Sequence, residues 1–194
     1  MESPETPDRI PKIHFSSARF PAPGEAYDAC WEGCFRSFYD MVECSAEQRA
    51  GFRADIECWN LGDALFGCTA LDGFRFGRSQ RKLHQDDVDH FMVEFVVDMD
   101  GGYVAEAAGR RLTIRPGALY VMDFSRPFSG DGGSANAISM LVSRSLMAAA
   151  MPLDSLHGLV LEGPRAAIVG DHFRALLRRM PGLPAADAAA VARG

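Results

Sequence analysis

Between residues 52 and 142, short apolar-alternating runs are separated by closely spaced turn signals, and this rhythm restricts the fold more than any other feature of the chain. Phe52 to Ala70, FRADIECWNLGDALFGCTA, predicts two strands joined near Asn60 to Asp63, with Leu61-Gly62-Asp63 as the turn. His90 to Val97 is a near-continuous apolar run broken by Glu94, and Asp98 to Gly102 reads as a hairpin turn. Tyr103 to Ala107, Arg110 to Ile114, Ala118 to Phe124 and Ala135 to Val142 bring the total to about seven or eight short strands. Such close turns predict an antiparallel barrel or jelly roll rather than βαβ units. The polar stretch Ser79 to Asp89 is predicted as a short helix or loop crossing a barrel end.

The flanks read differently. Residues 1–24 carry Pro4, Pro7, Pro11, Pro21 and Pro23, which predicts an extended or partly disordered segment. Tyr27, Trp31, Cys34, Phe35, Phe38, Tyr39 and Val42 then form one apolar stripe, predicting a helix over 26–42 that packs outside the barrel across a sheet. After Arg144 only helix is expected. Pro164 sits at a first helical position, and Val169, Phe173, Leu176, Leu177 and Met180 form a second stripe. Arg178 and Arg179 suit the C-terminal end of that helix, which Pro181-Gly182 closes. The Ala-rich tail, PAADAAAVARG, has too few large apolar residues to stand alone and needs a partner surface or a continuation. The stripe is wide enough to cover the barrel or a partner chain but hardly both, and twofold pairing through it is the expectation. Three regions result: 1–24, 25–144 and 145–194.

Hydrophobic residues make up 47% of the 194, and charged residues 24%, proportions that allow a substantial core. A net charge of −6 argues against a grip on nucleic acid by this chain itself, because phosphate binding needs clustered cations. The one short basic row, Arg174, Arg178 and Arg179, reads as the solvated face of a helix. No apolar run approaches the ~20 residues of a membrane span. The opening MESPETPDRIPK lacks a signal core and the five cysteines lack a framework spacing, so a cytoplasmic protein with reduced thiols is expected.

Motifs for chemistry are sparse. Cys30-x3-Cys34 with Cys44 suggests a metal site, but Cys34 lies on the apolar stripe and no third cysteine follows at short spacing. Gly130-Asp131-Gly132-Gly133 reads as a mobile hairpin tip rather than a phosphate cradle. Metal-binding cupin barrels resemble one another in Gly-x5-His-x-His-x3-Glu-x6-Gly and Gly-x5-Pro-x-Gly-x2-His-x3-Asn. Here His90, Glu94 and Gly101 match the first pattern, whereas Lys82 and Val88 replace its opening Gly and first His. In the second, Pro116 and Gly117 are adjacent, and Tyr120 and Phe124 replace its His and Asn. Two of four ligands are missing, so a barrel without metal or other cofactor is expected. Strand alternation instead places His90, Met92 and Glu94 on one inward row facing Tyr120 and Met122, either as core or as the wall of a ligand cavity.

Residues 15–185 resemble the ligand-binding N-terminal domain of AraC-type transcriptional regulators. The resemblance rests on Trp31 in YDACWEGCFRSFY, the Gly-containing strand pair WNLGDALFGCTAL and Arg78 in RFGRSQ. It continues through Asp89-His90-Phe91, through PGALYVMDFSRP, and through LHGLVLEG before the last helices. Ala118 stands where the family has an acidic residue after Pro-Gly. The resemblance implies a cupin-like barrel, mostly β with added helices, that binds a small organic effector and is not an enzyme. It also implies a homodimer through Val169, Phe173, Leu176, Leu177 and Met180, and contact with promoter DNA only through a helix-turn-helix domain that these 194 residues do not include. Such a chain is expected to be a piece of a regulator or a stand-alone sensor. The predicted effector site is Trp59, His90, Glu94 and Tyr120, with Arg78 at its mouth as an anion contact. Trp59 alternates against Ile56 and Cys58, which leaves an outward orientation open. The rival expectation is a small cupin-like metal-dependent isomerase or dioxygenase.

Overall fold

The computed structural model describes residues 8–40, 44–73 and 75–193; Pro4, Pro7 and Val42 of the patterns above lie outside these. Among the described residues there are eleven strands: β1 Lys12–Ser16, β2 Ala54–Asn60, β3 Ala64–Leu71, β4 Arg75–Arg78, β5 His90–Met99, β6 Tyr103–Ala107, β7 Arg110–Ile114, β8 Leu119–Asp123, β9 Phe128–Gly132, β10 Ala135–Ser143 and β11 Leu159–Leu161. They form a seven-stranded sheet ordered β1-β2-β3-β10-β5-β8-β11 and a four-stranded sheet ordered β4-β9-β6-β7. Every pairing is antiparallel, as expected for a cupin-like jelly roll.

The alternation of β5 separates two cores. Met92 and Val96 join Tyr103, Ala105, Ile114, Tyr120, Met122 and Phe128 between the two sheets. Phe91 and Phe95, one residue out of phase, join Phe66, Leu119, Val121 and Ile138 on the back of the large sheet. The predicted facing row is observed, with Met92 opposite Met122 and Glu94 opposite Tyr120.

The structure extends or corrects the sequence reading in four places. The proline-rich start takes the extended of its two expected forms over Lys12–Ser16, where β1 adds to the large sheet beside β2. The four extra strands β1, β4, β9 and β11 are short or glycine-bearing, and their partners rather than their periodicity define them. Gly130 and Gly132, predicted to form a mobile tip, lie within β9 between β4 and β6. Nor does the chain stay helical after Arg144: α4 Arg144–Ala150 is followed by β11, paired with β8.

The helix predicted over 26–42 is shorter. Helix α1, Glu25–Cys30, runs into a π-turn, Trp31–Phe35, in which Arg36 N–H donates to Trp31 C=O at 2.8 Å. One residue more per turn breaks the stripe, a change of phase often found near functional sites. Helix α1 lies against the large sheet, in a cluster separate from the core between the sheets. Its Ala26, Tyr27 and Cys30 pack on Phe52, Ala54 and Ile56 at β2, and α2, Ala46–Gly51, follows with its residues exposed. Beyond the π-turn Phe38 and Tyr39 join the inner core.

Helix α5, Pro164–Arg179, begins at Pro164 as predicted, but its stripe covers the barrel's own back. Ala166, Phe173 and Met180 are buried there, and Val169, Leu176 and Leu177 pack at the edge. Gly170 lets the helix approach: a Cβ at that position would collide with the Phe95 ring. The stripe expected to pair two chains is thus engaged within its own chain through Ala166, Phe173 and Met180, with Val169, Leu176 and Leu177 half-buried. The Ala-rich tail finds its partner in the same chain. Arg9 bridges to Pro184, Ala185 N–H donates to Asp8 C=O at 3.3 Å, and Val191 of α6, Ala188–Arg193, packs on the same core as Ile10. Among the described residues no helix is long and apolar enough to cross a membrane.

Candidate functional site: a tyrosine-lined chamber in the barrel

A cavity of about 100 Å³ lies between the sheets. Its polar wall is Glu94 from β5, Tyr120 from β8, Tyr103 from β6 and Tyr39 from the segment after α1, with Phe76, Met92 and Met99 as apolar neighbours. Asp72 and Thr69 stand among the remaining lining groups. Asp72 is already engaged, accepting from Arg53 N–H at 2.8 Å and from Ser134 Oγ at 3.4 Å.

The Tyr120 hydroxyl donates to Glu94 Oε1, which leaves Oε2 to the cavity. Burial raises the Glu94 carboxyl to about 7, and the Tyr120 hydrogen bond only partly opposes it. Burial, then the Glu94 charge, pushes the Tyr103 and Tyr120 phenols well up, so both remain neutral hydroxyls. Tyr39 is raised for the same two reasons, and its hydroxyl donates to Met92 Sδ at 3.4 Å. The Tyr103 hydroxyl is buried near that of Tyr120, which lowers its pKa slightly against the larger upward effects, but makes no hydrogen bond of good geometry among the described residues.

Tyr103 reaches the chamber because β9 is glycine where the ring crosses it. A Cβ on Gly130 would collide with its hydroxyl, and one on Gly132 would crowd its ring. Gly130→Ala is expected to displace Tyr103 and cost about 1–3 kcal/mol, as other overpacked cores do. Urea denaturation checks this; a variant as stable as wild type would mean that Tyr103 is not held over β9.

Of the predicted site residues, the fold brings Glu94 and Tyr120 together in the chamber. The other three stand elsewhere. Trp59 takes the outward orientation, buried with Ile10 and Phe66 on the back of the large sheet and capped by Lys12 at 5.6 Å. His90 shares a face with Glu94 at the far end of β5, outside the chamber, and its buried Nδ1 finds no partner among the described residues. Among those residues no three His, Cys, Asp or Glu side chains gather as a metal site. All five cysteines are free thiols.

Arg78 is not a free anion contact. Its side chain is fully buried, pairs with Asp86 at 2.6 Å and donates to Phe38 C=O. Burial alone would raise the Asp86 carboxyl, but hydrogen bonds from Arg78, Val88 N–H and Lys82 outweigh it and hold it below its usual value. Asp40 completes the clamp, its N–H donating to Gly77 C=O at 2.7 Å and its carboxylate accepting from Ser79 N–H. The clamp holds residues 36–40 over the barrel, with Tyr39 inside it.

Sequence reasoning missed Tyr39, Tyr103 and Phe76 as chamber residues. Alternation along β6 points Tyr103 inward, but only pairing with β9 shows what it crosses. The motif residue Asp123 is structural. Burial raises its carboxyl, yet bonds from Arg144 and Ser125 more than compensate, tying β8 to α4. His157 is kept neutral by burial and by the nearby Arg126 charge, and its Nδ1 accepts from Asp123 N–H at 3.1 Å. A broader concavity of about 1650 Å³ spans the outer face of the small sheet. Its walls mix Arg75, Arg111 and Arg126 with Asp40, Glu106 and Asp131, and Arg75 already pairs with Asp131 at 3.4 Å.

Two antiparallel sheets around an internal chamber, backed by C-terminal helices, define a cupin-like fold. That arrangement matches the crystal structure of the AraC-like transcriptional activator CuxR, with a TM-score of 0.79 and 21% identity over 94% of this chain. The matched part is 66% of the activator's length, so this chain spans slightly less than two thirds of it. KdgF from Halomonas sp. is 17% identical over 55% of this chain and 86% of its own, with a TM-score of 0.34. The Cupin_2 domain of an XRE family transcriptional regulator from Enterobacter cloacae is 11% identical over 41% and 81%, with a TM-score of 0.32. The sequence matches no family model and no curated protein.

Proposed function

We propose that this chain is the effector-sensing part of a transcription regulator and not an enzyme. It holds a small organic molecule in the barrel chamber, and promoter DNA is engaged through a segment outside residues 1–194. One observation carries the reading: adjacent residues of β5 face the chamber and the helix. Glu94 lines the chamber, while Phe95 on the opposite face packs against Gly170 of α5 and lies under the Arg174 guanidinium at 4.7 Å. A ligand that moves Glu94 therefore acts on the strand that seats α5. The relay works only if the ligand prefers one seating of that helix over another. The overall likeness to the AraC-like activator supports the regulatory setting, and the net charge of −6 fits a chain that leaves DNA to another part.

A thermal-shift screen of small metabolites tests the proposal. A true effector at a hundred times its dissociation constant adds ~2.7 kcal/mol of stability. It should also change hydrogen exchange in α5, and Tyr120→Phe should weaken it. A ligand whose affinity ignores Tyr120→Phe and Glu94→Gln would place binding elsewhere.

A further inference from the structure

We infer that the effector is a small alkylammonium ion, held by Glu94 Oε2 and the Tyr103 hydroxyl inside the aromatic wall of the chamber; this rests on the sensor reading above. No Lys, Arg or His is among the residues lining the chamber, and both charged residues there are acidic. Of these, Asp72 is occupied by Arg53 and Ser134, so Glu94 is the carboxylate left to meet a ligand. Tyr39, Phe76, Tyr103 and Tyr120 stand around it, with Tyr39 and Phe76 edge to face at 5.2 Å and Phe76 and Tyr103 stacked at 5.6 Å. The rings make the wall apolar enough for an alkyl chain, and the carboxylate beside them supplies a directed acceptor for an ammonium N–H. An anionic ligand would be repelled by ionised Glu94, with no Lys, Arg or His among the lining residues to offset it, so above the Glu94 pKa the same wall disfavours acids.

The hydrogen-bond inventory points the same way. Tyr103 is 4% exposed, and its hydroxyl, close enough to feel the Glu94 charge and within reach of the Tyr120 hydroxyl, makes no hydrogen bond of good geometry among the described residues. An N–H of the ligand would satisfy it. About 100 Å³ is less than the ~150 Å³ cavity that accommodates benzene, which limits the occupant to a few heavy atoms. The groups facing Glu94 are Tyr120 from β8, Tyr103 from β6 and Tyr39 from the segment after α1, while Ser139 is its cross-strand neighbour on β10. Glu94 must be ionised to hold the cation, and burial raises its carboxyl to about 7. Affinity should therefore fall as pH drops, approaching tenfold per unit below 7.

The test titrates the purified chain with propylammonium and isobutylammonium, and with 1-propanol, isobutanol and propionate as uncharged and anionic counterparts. Calorimetry at pH 6 and pH 8 reads the affinities. The expected result is saturable binding of an ammonium ion, at least tenfold tighter than its alcohol and weaker at pH 6. Glu94→Gln should lower that affinity at least tenfold, and Tyr103→Phe, the milder change if Glu94→Gln folds poorly, should lower it severalfold. Equal binding of the alcohol, or no response to either ammonium ion, overturns the ammonium assignment. A neutral or anionic compound that binds wild type and is lost in Tyr120→Phe overturns it too, yet leaves the barrel sensor standing. Ammonium binding unaffected by all three substitutions overturns both readings.

Discussion

Replacing Phe173 with alanine is expected to lower the unfolding free energy by about 3–5 kcal/mol, the largest single effect of any change in the C-terminal helices. Phe173 is buried on the back of the large sheet, edge to face with Phe66 at 5.6 Å, and sits between Ala166 and Met180 on one stripe. The void left behind is walled by strands on one side and by α5 on the other, so neither can collapse to fill it. Chemical denaturation at two protein concentrations provides the check. An intramolecular contact gives the same midpoint at both, whereas an interface between two chains makes stability rise with concentration. A loss below 1 kcal/mol, or a concentration-dependent midpoint in wild type, would show that the stripe belongs to a partner after all.

Arg78→Met should cost about 3 kcal/mol, the lower end of what breaking a buried ion pair costs. The lower end applies because Asp86 retains Lys82 at 3.2 Å and remains partly solvated. The change also removes the bond to Phe38 C=O, one of those holding residues 36–40 over the barrel. Tyr39 should then lose its fixed packing, visible as a weaker near-ultraviolet circular dichroism signal. The double variant Arg78→Met, Asp86→Leu should recover part of the loss, because no carboxylate is left behind. An Arg78 that served only an anionic ligand would behave differently. Its removal would leave the unliganded protein as stable as before.

Period-two alternation, read with the turns, fixes much of this protein from sequence alone. It set the limits of β6 and β7 and placed Met92 and Glu94 opposite Met122 and Tyr120, while proline at a first helical position marked Pro164 as the start of α5. These are local properties: a side chain's face follows from its position in the strand, and a helix start from the φ its proline imposes. Which surface covers an apolar face is not local. The stripe of α5 looks the same whether a second chain or the barrel's own back meets it, and only Gly170 against Phe95 shows that it is the barrel. The same holds for charge. Arg78 reads as an open cation until Asp86, eight residues away, folds back on it, and the π-turn at Trp31–Phe35 turns Tyr39 from an outer helix stripe into the chamber. Alternation is written into neighbouring residues, but burial and pairing are settled by residues far apart in the chain, and only the tertiary structure brings those together.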